Sequence, residues 1–138
     1  MTNQKIILFV NSYLPVLGGI QTVSSQLAEG LKDKGFDVSV FTNKYPKNLP
    51  FKEKVQGVIV KRFVLGTFFN EIKNINSFMN RLISYIIYPF TFVHLFVSIY
   101  KIKPDVINIH FPLAQLPYIR FLQKLFKFKM VTSFHGHD

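Results

Sequence analysis

The chain has 138 residues, 49% of them apolar, which suffices for one domain with a core and not for two full domains. It has no cysteine, so disulfides and thiolate chemistry are excluded and any zinc site would lack sulfur, as fits a reducing cytoplasm. The net charge of +10 is split evenly, five in residues 1–69 and five in residues 70–138; it excludes a basic tail and favours polyanions such as nucleic acid, anionic lipid or phosphorylated substrates.

Ile6 to Val10 is a short unbroken apolar run and reads as a parallel strand buried on both faces. It is too short for a secretory signal, and no small-residue cleavage site follows it. Asn11 to Gly19 is a turn-rich loop with Pro15 and the pair Gly18-Gly19. Val23, Leu27 and Leu31 recur four apart, which predicts an amphipathic helix over 21–34, closed by Gly35 as a left-handed cap. Asp37 to Thr42 is a second strand. Lys44 to Lys54 carries two prolines and four lysines and reads as a solvated loop, followed by a third strand from Gly57 to Leu65. Residues 70–101 read as two helices broken near Pro89. A fourth strand runs from Val106 to Ile109, a helix from Leu113 to Phe126, and a fifth strand from Phe128 to Phe134.

Strands alternating with helices predict an α/β fold, a Rossmann-like parallel sheet flanked by helices. Ligands of such sheets bind at the carboxyl ends of the strands, where the strand order reverses. Three loops leave those ends with polar or glycine chemistry: Asn11 to Gly19, His110 to Pro112, and His135 to Asp138. Gly18-Gly19 before a helix lets a backbone approach a ligand and offers free amides to an anion, although the same pair also makes an ordinary tight turn. Neither a G-x-G-x-x-G nor a G-x-x-x-x-G-K-[ST] string occurs, which counts against a dinucleotide site and a P-loop. His110 at a strand end suits a structural hydrogen bond as well as a ligand contact. His135-Gly136-His137-Asp138 exposes an imidazole at the rim, and its spacing argues against a metal site.

Three strings together resemble glycosyltransferase family 4, retaining enzymes with the two-Rossmann architecture called GT-B. The first comprises Pro15 to Thr22, Leu27 to Leu31 and Gly35 to Thr42. The second is Lys103-Pro104-Asp105-Val106-Ile107-Asn108-Ile109-His110. The third is Thr132-Ser133-Phe134-His135-Gly136-His137-Asp138. The resemblance implies that residues 1–138 are the N-terminal, acceptor-side domain, cut before a C-terminal donor-binding domain that would carry the cations for the diphosphate. It implies transfer of a sugar from a nucleotide-sugar donor to a glycan or lipid-linked acceptor with retention, in polysaccharide or glycolipid synthesis, with no cofactor, no metal and no nucleic acid partner. The chain alone is then expected to be inactive.

Carried over by motif, His135 and Asp138 are the candidate catalytic residues, and Gly18, Gly19, Gln21 and His110 the candidate substrate-binding ones. Asn108 stands where the family's motif has a histidine, and Gln21 where glutamate is common. The alternative reading is a non-catalytic nucleotide- or membrane-surface-binding module. Leu82 to Ile99 contains no Asp, Glu, Lys or Arg and is just long enough to cross a bilayer. A crossing there would put strands of one sheet on opposite sides, so a buried helix pair or an apolar face on an anionic membrane is expected instead. The expected location is the cytoplasm, at the cytoplasmic face of a membrane.

Overall fold

The computed structural model describes residues 3–65, 77–110 and 115–133. In chain order the elements are β1 (Lys5–Val10), α1 (Gly19–Asp33), β2 (Asp37–Asn43), β3 (Lys52–Val55), β4 (Val58–Phe63), α2 (Ser77–Ile102), β5 (Val106–His110), α3 (Leu116–Phe126) and β6 (Lys129–Ser133). The strands form one six-stranded sheet in the order β3-β4-β2-β1-β5-β6. Every pairing is parallel except the β3–β4 hairpin. The order reverses beside β1, which pairs with β2 on one side and β5 on the other.

Strand periodicity explains why β1 is apolar throughout. Ile6, Leu8 and Val10 join Val38, Val40, Val58, Val60 and Ala28 of α1 in one core layer. Ile7 and Phe9 point the other way and join Phe41, Phe63, Ile107 and Ile109 with Leu95 and Ile99 of α2 and Ile119 and Leu122 of α3. Successive side chains alternate faces, so a strand covered on both sides needs apolar residues at every position. Phe9, Phe41 and Phe63 form a ring cluster at the centre of the second layer, with centroids 4.9–6.3 Å apart.

Gly35 closes α1 as expected. Its φ is +88°, its amide donates to the Lys32 carbonyl, and the Phe36 amide donates to the Leu31 carbonyl. That is the paired pattern of a Schellman cap.

Two elements differ from the sequence expectation. The segment read as a solvated loop ends in β3, an edge strand whose Lys-Glu-Lys run has no apolar signature. A two-residue turn joins it to β4, with Gln56 at φ 50° and Gly57 at φ 79°. Positive φ at both positions matches the twist of the flanking strands and closes a hairpin. The charged edge also discourages further strand pairing.

The second correction concerns α2, which runs through Pro89 as one helix. Proline removes one helical hydrogen bond and costs about 3 kcal/mol in a helix interior. Tertiary contacts beyond it offset that cost. Thr91 Oγ1 donates to the Val64 carbonyl at 2.6 Å, Leu95 and Ile99 are fully buried, and Phe92 and Phe96 pack on α3 rings.

His94 packs against Phe63 in a tilted pair with centroids 4.6 Å apart and meets Phe51 edge-on at 5.9 Å. Burial, and secondarily the charge of Lys61, hold its imidazole pKa below the usual 6.5. The unfolded chain therefore binds this proton more readily, and stability falls as pH drops through about 6.5 toward the lower folded value. His94→Leu is expected to flatten that slope in urea titrations between about pH 5 and 7; an unchanged slope would refute the assignment. Gly57→Ala, which forces a Cβ into the left-handed region, should lower unfolding free energy by about 1–2 kcal/mol.

Candidate functional site

The β1–α1 loop leaves the carboxyl end of the central strand at the point where strand order reverses. Phe9 pairs with Ile109 and His110 with Ser133, so the ends of β1, β5 and β6 lie side by side on one rim. Gly18 is the N-cap of α1, and no side chain caps that helix or places an acid in its first turn. The Thr22 amide donates to the Gly18 carbonyl at 3.0 Å, leaving the amides of Gly19, Ile20 and Gln21 ahead of the first intrahelical bond. Such amides, with the helix dipole behind them, suit an anion.

Gly18 and Gly19 are both exposed. A Cβ on Gly18 would collide with Gln21 Oε1, whereas one on Gly19 would meet nothing within 4 Å. Gln21 Nε2 donates to Ser12 Oγ, so this candidate residue braces the loop across its base. His110 is 2% exposed and lies just beneath the rim. Ser133 Oγ donates to Asn108 Oδ1 at 2.9 Å, which ties the end of β6 to β5. The substitution of histidine by Asn108 therefore supplies a strand-to-strand hydrogen bond. His135 and Asp138 lie outside the described residues. Among the described residues no group of three or more His, Cys, Asp or Glu could hold a metal ion.

The loop is fixed from below by residues that sequence reasoning did not single out. Arg62 on β4 has a side chain 1% exposed; it pairs with Glu53 of β3 and donates from Nη2 to the Leu14 carbonyl at 2.8 Å. Tyr13 is 2% exposed, and burial raises its phenol pKa. Strand parity carried the signal for Arg62. Val58, Val60 and Arg62 share one face of β4, and that face is covered.

The family profile described as Glycosyltransferase Family 4 matches residues 17–138, the span that holds the helix N-terminus and the rim of β5 and β6. The chain belongs to glycosyltransferase family 4. Solved structures share the fold of this family 4 domain. The sucrose-phosphate synthase from Thermosynechococcus elongatus aligns with a TM-score of 0.65 at 20% identity, covering 97% of this chain and 33% of that one. The catalytic domain of starch synthase IV from Arabidopsis thaliana, bound to ADP and acarbose, aligns with a TM-score of 0.64 at 14% identity, covering 98% of this chain and 34% of that one. The family 4 domain thus spans about a third of each of those chains. No curated protein matches it.

The buried ion pair gives a stability test. Glu53→Gln leaves the Arg62 guanidinium buried without its counter-charge and should cost about 3 kcal/mol, whereas Arg62→Met removes the charge itself and should cost less. Chemical denaturation of both variants checks the order; a smaller loss for Glu53→Gln would mean that the pair contributes little.

Proposed function

We propose that this family 4 domain forms the acceptor-side wall of a glycosyltransferase that moves a sugar from a nucleotide-sugar donor to a glycan or lipid-linked acceptor with retention, in the cytoplasm. The observation that carries this reading is the uncapped N-terminus of α1 standing at the reversal of strand order, beside the ends of β5 and β6. Sugar transfer from a nucleoside diphosphate builds negative charge on the departing phosphate as the glycosidic bond breaks, and fixed donors aimed at that charge lower the barrier. The amides of Gly19, Ile20 and Gln21 are such donors. His135 and Asp138 complete the proposed site by family motif. His135 would border the sugar, and Asp138 would act beside it.

One wall does not clamp a diphosphate. A second domain, carrying cations for the phosphates, would close the cleft, exclude water and hold the donor in attack geometry. The 138-residue chain alone is therefore expected to turn over a panel of nucleotide sugars negligibly, and to gain activity when a donor-binding domain of the family is supplied with it. Robust transfer by the short chain, abolished in His135→Ala, would overturn the two-wall account.

Gly19 gives a sharper test of the loop. Its surroundings accept a methyl group without collision, so Gly19→Ala should leave thermal stability unchanged. In the two-domain assembly it should reduce kcat/KM by roughly tenfold or more, a loss of one oriented donor contact through displaced substrate. Unchanged kcat/KM would mean that the substrate does not approach this backbone.

A further inference from the structure

The outer surface of α2 is as apolar as the surface it buries. Thr91, Leu95, Ser98 and Ile99 face the sheet. On the opposite side Leu82, Ile86, Phe90, Val93, Val97 and Tyr100 recur at intervals of three and four, and all are exposed, from 38% at Val97 to 75% at Phe90. An amphipathic helix of a soluble domain places polar residues along that outer stripe. The stripe continues onto α3, where Phe121 and Leu125 are 54% and 53% exposed. The two helices are locked together beneath it by ring contacts, Phe92 with Phe121 at 5.7 Å and Phe96 with Phe126 at 5.1 Å. The result is one continuous apolar face across two helices.

Charge selects the occupant. Between Ser77 and Ser133 the chain has seven Lys and Arg residues and a single acid, Asp105. Lys124 and Lys127 are exposed beside Leu125. At the amino-terminal end of the sheet a groove of about 610 Å³ is lined by Tyr100, Leu125 and Phe126 and by three lysines, Lys103, Lys127 and Lys129, against the single acid Asp105. Apolar rings flanked by lysines match the boundary between acyl chains and anionic headgroups.

The window Tyr85–Ile102 is long and apolar enough to cross a bilayer, yet only 22% of it is buried in the fold. A crossing is incompatible with its inner side, which is packed on the sheet between β4 and β5. We propose that the outer face of α2 and α3 seats this domain on the surface of an anionic lipid bilayer, with the apolar stripe at the headgroup boundary and the lysines on the lipid phosphates. The topology aligns this seat with the proposed site, because α2 runs antiparallel to the sheet and its amino-terminal half, including Ile86 and Phe90, lies toward the carboxyl rim.

The chain contains no tryptophan, so Val93→Trp installs a single fluorescent reporter at the middle of the stripe. With vesicles of equal parts phosphatidylglycerol and phosphatidylcholine at about 0.1 M salt, its emission should shift to the blue and be quenched by brominated acyl chains. Phosphatidylcholine vesicles should give a much weaker response, and raised salt should release the protein. In the same background, Lys124→Gln with Lys127→Gln should weaken partitioning by roughly tenfold or more. Both lysines are solvent-exposed, and unchanged circular dichroism and urea midpoint confirm the fold. No spectral shift with anionic vesicles overturns the proposal, as does equal binding to neutral vesicles. A blue shift that grows with protein concentration in the absence of lipid also overturns it, since a second copy of the chain would then cover the face. None of these outcomes depends on sugar transfer, so the seat and the proposed function fail separately.

Discussion

Burial of β1 on both faces is the constraint on which the remaining structure depends. Five successive apolar side chains, Ile6 to Val10, are each at most 9% exposed. Water can be removed from both sides of one strand only if helices cover both sides of the sheet, α1 on one and α2 with α3 on the other. That requirement makes β1 central, and a central first strand places the reversal of strand order beside it. The loop that follows β1 then stands where, among the described elements, the flanking helices diverge to opposite faces. The glycines at 18 and 19 acquire their setting from the hydrophobicity of residues 6 to 10.

The rim is held by polar contacts that work beneath it. Arg62 reaches from β4 to the Leu14 carbonyl and takes its counter-charge from Glu53 on the neighbouring hairpin strand. Ser12 receives Gln21, and Ser133 donates to Asn108. Each bond links two elements that the hydrophobic core has already brought close. The core sets the architecture, and these bonds select one conformation of loops that carry too little apolar surface to order themselves.

The sequence was most legible where burial dictates residue type. The strands of the parallel sheet, the amphipathic α1, its Gly35 cap and the family motifs could all be read from local patterns, because each records an environment in its own residues. The hairpin strand β3 could not, since an edge strand exposed to solvent has no apolar alternation to betray it; the positive φ of Gln56 and Gly57 is visible only once folded. Continuity of α2 through Pro89 was hidden because Thr91, Leu95 and Ile99 support it from partners distant in sequence. The burial of Arg62 was written in the parity of β4, but its partners at positions 14 and 53 were hidden for the same reason. Of the candidate site residues, Gly18, Gly19 and Gln21 lie at the start of α1 and His110 at the end of β5. His135 and Asp138 lie outside the described residues.

Pro89 lies on the exposed side of α2 and has no amide hydrogen to give to the carbonyl of Tyr85, one turn earlier. In water that oxygen is hydrated at little cost. In hydrocarbon it would be stranded, at a cost of several kcal/mol. With the outer face of α2 seated on a bilayer as proposed, the backbone at Pro89 would keep to the hydrated layer while the side chains on either side reach the acyl boundary.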